Sequence, residues 1–443
     1  MLADQLPKIV SYPMMKVPVL LRASFVIVLC LAFQLLQANK VLDKSSLEAL
    51  QTIVNDIDDE HVAKYIDAFL RHPETTEELL TRGQRYFPLI EKELTVQGLP
   101  DALKVLPLIE SRFDPMAISR VGAAGLWQFM AATARELGLR IDAYVDERRD
   151  PAKATRAALS YLNYLYTKYN DWSLAFAAYN SGPGRVNRAI KLAGGESSFA
   201  AIKAFLPEET RQYIPKYIAA QYIIQYHKDL GLKPAYPELD LVWTGTVLLN
   251  REMSITKIAE LVNVPTDLII DLNPSLKRQY VPKLSQGFDL VLPKRVTPTF
   301  QYFLDTDEAP GPSFAYRTME IMIDKKVTVF EIAGLLKLDP YLLKSWNQLT
   351  EDVIEPGVQL IIHELYDPSQ MLTQTISPKP FIKEKSNLQP LAPAIDYRQN
   401  LLRLIDRQRT RTEETINWNL HQINIGYYKG IGPGRIPGLS TKP

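Results

Sequence analysis

Between Ser45 and Leu230, apolar residues return at intervals of three and four with polar residues between them, the pattern of helices that bury one face. Asp150-Pro151 reads as a helix cap followed by proline at the first helical position, after which Ala154, Ala157, Ala158, Tyr161, Leu162 and Leu165 form a small-residue face suited to close packing. Asp171 caps the next predicted helix, Trp172 to Tyr179, and Asn180-Ser181-Gly182-Pro183-Gly184 stops it. Another helix is expected from Arg185 to the Gly194-Gly195 pair. A further one should open at Pro207, with Glu208 and Glu209 where the helix dipole favours negative charge. The pattern predicts an all-α domain over 45–230.

After Lys233-Pro234 the periodicity shortens, and apolar β-type runs such as Leu241-Val242-Trp243 and Leu290-Val291-Leu292 flank short helical patterns. This region repeats. Ile255, Ile258-Ala259, Val264, Leu268 and Leu272-Asn273 return 74 residues later as Val329, Ile332-Ala333, Leu338, Leu342 and Trp346-Asn347. The offset then drops to 70, where Gly287-x-x-Leu290-Val291-Leu292 meets Gly357-x-x-Leu360-Ile361-Ile362. Two copies of one small α+β unit of βααβ order, over 241–297 and 315–365 and with unequal final loops, account for both offsets. Residues 367–395 hold five prolines and read as an extended linker. The tail 396–443 carries eight Lys or Arg against four Asp or Glu and is expected to be flexible.

At the other end, Phe25 to Phe33 is an unbroken run of nine apolar residues preceded by Lys16 and Arg22. A bilayer-spanning helix needs about 20 apolar residues. The run therefore suits the core of an export signal, with residues 1–38 acting as a cleaved signal peptide or an N-terminal membrane anchor. Composition adds exclusions: with 46% hydrophobic and 23% charged residues in 443, the chain is neither disordered nor a multi-span membrane protein. A net charge of +1 gives no drive toward nucleic acid. The single Cys30 excludes an intramolecular disulfide, and five histidines without an HExxH or Cys/His cluster argue against a metal site. No cofactor is implied.

Four motifs carry candidate chemistry: Ile109-Glu110-Ser111 with Phe113-Asp114-Pro115; Gly122 to Met130 (GAAGLWQFM); Ala177-Ala178-Tyr179-Asn180-Ser181-Gly182; and Glu209 to Tyr217 (ETRQYIPKY). Glu110 ends the apolar stretch Val105 to Ile109, where desolvation would raise its pKa toward that of a general acid. By residue type alone, a Glu at a helix end is more often a surface charge. Asp114, four residues on, reads either as a second carboxylate on the same helix face or as an Asp-Pro turn. Asp146 and Arg148 read as a structural ion pair or a cleft rim, and Gly122 and Gly125 as tight turns or close backbone approaches.

Taken in order, with Asp146-Glu147-Arg148-Arg149-Asp150-Pro151 between them, these motifs over about Phe87 to Tyr222 resemble the goose-lysozyme-type SLT domain of the membrane-bound lytic murein transglycosylase D family. The resemblance implies a lysozyme-like all-α catalytic domain acting on peptidoglycan glycan strands. Glu110 matches the family's single catalytic acid, which protonates the glycosidic oxygen between N-acetylmuramic acid and N-acetylglucosamine. As base it then lets the sugar's own C6 hydroxyl close a 1,6-anhydro ring. Ser111 would orient Glu110 or the substrate, while Gln128, Tyr179, Asn180 and Tyr213 would hydrogen-bond sugars and acid. Trp127 and Met130 read equally as apolar walls or as core. The repeats similarly resemble LysM modules, which bind this glycan, with Asn273 and Asn347 at the family's Leu-Asn position. They lack its Gly-Asp/Glu-Thr/Ser turn, carrying Asn250 to Ser254 and Asp324 to Thr328 instead. The expected place is outside the cytoplasmic membrane, in the periplasm or on a membrane surface facing the wall. Two other functions fit the same residues: a hydrolytic muramidase using water, and a wall-binding scaffold without activity.

Overall fold

The computed structural model describes residues 59–309 and 311–368, together with Leu50, Ile53 and Val54. The segment 1–38, the tail 396–443 and all but the first two residues of 367–395 lie outside them. The helical part runs α1 (Asp59–Leu70), α2 (Pro73–Gln97), α3 (Leu106–Ser111), α4 (Ala131–Glu136), α5 (Pro151–Tyr169), α6 (Trp172–Ser181), α7 (Pro183–Leu192), α8 (Phe199–Ile202), α9 (Glu208–Arg211) and α10 (Tyr213–Tyr226). Local chemistry sets several of these boundaries. Asp150 accepts from the amides of Ala152 and Lys153 to start α5, and Asn170 ends it in the left-handed conformation. Asp171 accepts from the Leu174 amide to start α6. The helix expected from Pro207 lasts one turn and restarts as α10. That helix is apolar on nearly every side and buries Ile214, Tyr217, Ile218, Ala219 and Ile223 at the centre of the domain.

A one-turn helix, α11 (Leu239–Val242), stands where the run Leu241 to Trp243 suggested a strand. The reason is tertiary: Trp243 leaves the chain path to pack on Trp346 and Tyr316, at ring centroid distances of 5.1 and 5.3 Å. Two units then follow. The first is β1 (Thr244–Leu249), β2 (Met253–Ser254), α12 (Ile255–Val262), α13 (Thr266–Leu272), β3 (Tyr280–Val281) and β4 (Phe288–Pro293), closed by α14 (Thr297–Thr306). The second is β5 (Ala315–Met322), β6 (Val327–Thr328), α15 (Val329–Leu336), α16 (Pro340–Trp346), β7 (Val353–Ile354) and β8 (Gln359–Tyr366). In each, the outer strands pair antiparallel, β1 with β4 and β5 with β8. The short inner strands fix where the repeat loses its four residues. Ser254 faces Tyr280 and Thr328 faces Val353, so one residue goes before the short strand and three after it.

Asn273 and Asn347 do the same work in the two copies. Asn273 Nδ2 donates to Ile269 O (2.8 Å) and Val291 O (2.7 Å), and its Oδ1 accepts from Val291 N (2.9 Å). Asn347 repeats this with Leu343 O, Ile361 O and Ile361 N. Each side chain clamps the second helix to the last strand by completing that strand's backbone bonds. Among the described residues three hydrophobic cores result, one in the helical domain and one in each module. Each module's core recruits a residue from earlier in the chain, Val145 for the first and Trp243 for the second.

Candidate active site

Glu110 is the penultimate residue of α3, a helix of six residues whose end is set by two consecutive residues with positive φ, Arg112 and Phe113 (both 56°). The fully buried Phe113 ring meets Phe87 edge-on at 5.4 Å, and a Cβ on Gly83 would stand 2.9 Å from both rings. This packing ends the helix and turns the chain away. Asp114 consequently leaves the face that carries Glu110, and its carboxylate accepts from the Met116 amide at 2.8 Å. The reading of Asp114 as a turn residue is the one its geometry matches.

The Tyr213 hydroxyl, from the first residue of α10, donates to Glu110 Oε1 at 2.5 Å. Burial raises the Glu110 pKa from 4.5 to about 7; the Tyr213 bond and Lys216 oppose the rise, and Glu209 adds to it. The Tyr179 and Tyr213 hydroxyls are held well above their ordinary pKa, by burial first and then by the Glu110 charge, so both remain donors near neutral pH. Tyr179 donates to Trp127 O at 2.8 Å and fixes the segment Gly122 to Met130 beside the carboxyl.

The other sequence candidates spend their groups on this framework. Ser111 Oγ lies 2.9 Å from Leu126 O and 3.1 Å from Pro107 O, bonding to backbone and not to Glu110. Gln128, in the left-handed region at φ 48°, donates from Nε2 to Gly125 O (2.9 Å) and Ala117 O (3.2 Å). Asn180 Oδ1 accepts from the Thr210 hydroxyl at 2.8 Å, joining α6 to α9. Trp127 is fully buried and donates to Thr155 Oγ1 at 2.9 Å, which makes it core. Met130, by contrast, is 45% exposed on the same segment, and Met116, Ile118 and Val121 of the preceding loop are exposed too. Arg148 pairs with Asp146 at 2.8 Å and also donates to Gly122 O (2.7 Å) and Phe129 O (3.1 Å). A Cβ on Gly125 (φ +84°) would fall 1.8 Å from Arg148 O, so this glycine is required by a close approach. Sequence reasoning read Glu209 only as a charge at a helix start and gave no role to Lys216, Thr155 or Thr210. Thr155 left a signal as a lone hydroxyl on the small-residue face of α5.

The family model of the transglycosylase SLT domain matches residues 87–202. That of the LysM-like domain of lytic transglycosylase MltD matches residues 244–309. The chain carries a transglycosylase SLT domain followed by an MltD-type LysM-like domain. It is 29% identical over 306 residues to membrane-bound lytic murein transglycosylase D of Escherichia coli K12, covering 66% of this chain and 67% of that protein. To the soluble lytic murein transglycosylase of the same strain it is 34% identical over 131 residues, 28% of this chain and 20% of the relative. A solved structure, the 70 kDa soluble lytic transglycosylase of E. coli, is 30% identical with a TM-score of 0.27, covering 33% of this chain. The match spans about a quarter (24%) of that protein's length. The SLT match ends before Tyr213, so the hydroxyl bonded to Glu110 comes from a helix beyond the matched stretch.

Proposed function

We propose that this chain cleaves the β-1,4 bond between N-acetylmuramic acid and N-acetylglucosamine in peptidoglycan, using Glu110 as its only proton-transferring group. The observation that carries the reading is a carboxyl raised to about 7 by burial and held by one phenol, while the neighbouring carboxylate, Asp114, is engaged by backbone. An acid with a pKa near the working pH is protonated often enough to donate and basic enough to take the proton back.

The steps follow from that single group. Glu110 gives its proton to the glycosidic oxygen as the bond to C1 of the muramic residue breaks. The Tyr213 hydroxyl, donating to Oε1, stabilises the carboxylate that forms and leaves the other oxygen to work. That carboxylate removes the proton from the C6 hydroxyl of the same sugar, whose oxygen closes on C1 to give a 1,6-anhydro end. Glu110 is thereby restored as the acid. No water enters, because the nucleophile is intramolecular and needs only to be held in place. Gln128, Tyr179, Asn180 and Ser111 act in this reading by shaping the walls that receive the sugars.

The LysM-like modules are the wall-binding part, and weak modules on one chain raise the local concentration of glycan. Export, with residues 1–38 as signal or anchor, would place the enzyme where its substrate is. Among the described residues no helix is long and apolar enough to cross a membrane.

Mass spectrometry of muropeptides released from purified peptidoglycan, by the parent chain and by Glu110→Gln, tests the reading. Anhydro-ended products from the parent and none from the variant are expected. Reducing ends that vanish with Glu110→Gln would make it a hydrolase, and binding to the wall without release by either chain would make it a scaffold.

A further inference from the structure

The first module meets the helical domain through an interface of a kind that a mere tether does not need. Val145 and Leu276 form an antiparallel bridge: Asp146 N donates to Ser275 O (2.8 Å) and Lys277 N to Tyr144 O (2.9 Å). The Val145 side chain, 1% exposed, lies inside the module's own hydrophobic core with Ile255, Ile258 and Val281. Arg85 on α2 closes the same face, reaching Asp271 Oδ2 (2.7 Å) and Asp271 O (2.9 Å). Lys277 Nζ donates to Asp142 O at 2.5 Å.

What this interface grips is the loop that supports the site. Asp146 holds Arg148 by a bidentate ion pair, and Arg148 donates to Gly122 O and Phe129 O at the two ends of the wall segment. Gly125 of that segment packs on Arg148 O, and Leu126 O is bonded by Ser111, the neighbour of Glu110. Contacts therefore run without a gap from Ser275 and Lys277 of the module to the residue beside the acid. The loop has bonds of its own, with Asp142 Oδ1 accepting from Tyr144 N and Val145 N and Glu147 N donating to Arg140 O, and the module adds a second set of contacts on its outer side.

We propose that the first module is a working part of the catalytic unit, clamping residues 142–148 so that Arg148 holds the Gly122 to Met130 wall in place beside Glu110. Val145 and Arg148 are then positioning residues, and the module contributes to turnover as well as to wall binding. This rests on the reading of Glu110 as the acid.

The test uses the full chain with two substrates, a soluble peptide-free glycan of six sugars and intact sacculi. Val145→Asp places a charge in the module's core, and Lys277→Pro removes the N–H that Tyr144 O accepts; Lys277→Ala keeps that N–H. On the short glycan, Val145→Asp and Lys277→Pro are expected to lower kcat at least tenfold with KM within about threefold of the parent. Amide hydrogen exchange across 122–130 should accelerate in the same two variants, while Lys277→Ala, which keeps that N–H and loses only the Nζ bond to Asp142 O, should shift both readouts less than Lys277→Pro. Unchanged kcat on the short glycan, with loss confined to binding or cleavage of sacculi, would overturn the proposal and leave the module a tether. Should Val145→Asp fail to fold by circular dichroism, Val145→Ala and Lys277→Pro carry the comparison. If the parent itself releases no anhydro product, the reading of the acid fails separately. The exchange measurement still decides the clamp, since protection of 122–130 untouched by Lys277→Pro would refute it.

Discussion

Replacing Glu110 by glutamine should stabilise the protein, and by an amount that depends on pH in a defined direction. In the folded chain burial holds this carboxyl at about 7, against an ordinary 4.5. A carboxyl raised on folding binds its proton more tightly in the native state. Its favourable contribution is complete below about pH 4.5 and is lost as the pH rises to about 7. The gap between 4.5 and about 7, at about 1.4 kcal/mol per pH unit, amounts to about 3 kcal/mol. Glutamine keeps the shape and an oxygen for the Tyr213 hydroxyl but never ionises. The two chains should therefore be close in stability at pH 4.5, with Glu110→Gln ahead by about 3 kcal/mol at pH 8. At roughly 2–4 °C per kcal/mol for a domain of this size, that is a difference in Tm of about 6–12 °C. Paired thermal melts followed by circular dichroism, every half unit between pH 4.5 and 8, read it directly, since every other titrating group is common to both chains. A difference that stays flat across the range, or a parent more stable at pH 8, would refute the claim that burial holds the acid protonated. Activity lost while stability is gained would show that the site carries an unfavourable charge for the sake of its chemistry.

Three further outcomes follow from other contacts. Tyr213→Phe removes a bond that favours the ionised carboxyl, so the alkaline limb of kcat/KM should move to higher pH. Its plateau should fall by about ten- to a hundredfold, the equivalent of a charge-assisted hydrogen bond of about 1.5–3 kcal/mol; a pH profile measured on soluble glycan decides it, and an acid shift would contradict it. Gly125→Ala puts a methyl group 1.8 Å from Arg148 O at a φ of +84°, and should cost about 2 kcal/mol or more with loss of soluble, active protein, as urea denaturation would show. Asn273→Ala leaves the Val291 N–H and C=O without the partners they have now and should destabilise the first module by about 2–4 kcal/mol. Asn347→Ala should cost the second less, because Asn347 makes the matching bonds nearer solvent; exchange rates of the Val291 and Ile361 amides measure both.

Much of the fold was legible in the chain because the forces that set it act over a few residues. Asp150 and Asp171 cap helices from their own positions, the Ala154, Ala157, Ala158 face buries at a 3.6-residue period, and the 74-residue repeat shows that one unit was used twice. Resemblance singled out Glu110 among 50 acidic residues, and nothing local could have done so, since a glutamate at a helix end is ordinarily a surface charge. Other features depended on partners far along the chain. Tyr213 reaches Glu110 across 103 residues, Phe113 turns Asp114 out of the site by packing against α2, and Trp243 becomes the end of a helical turn because the second module buries its ring. The sequence by itself determined the helices, the duplicated units and a short set of polar candidates. Which candidates touch the acid, which hold the frame around it, and that the first module closes on the loop behind it were decided only by tertiary packing. Burial, and with it the pKa of a carboxyl or the strength of a hydrogen bond, belongs to the space around a residue and not to its neighbours in the chain.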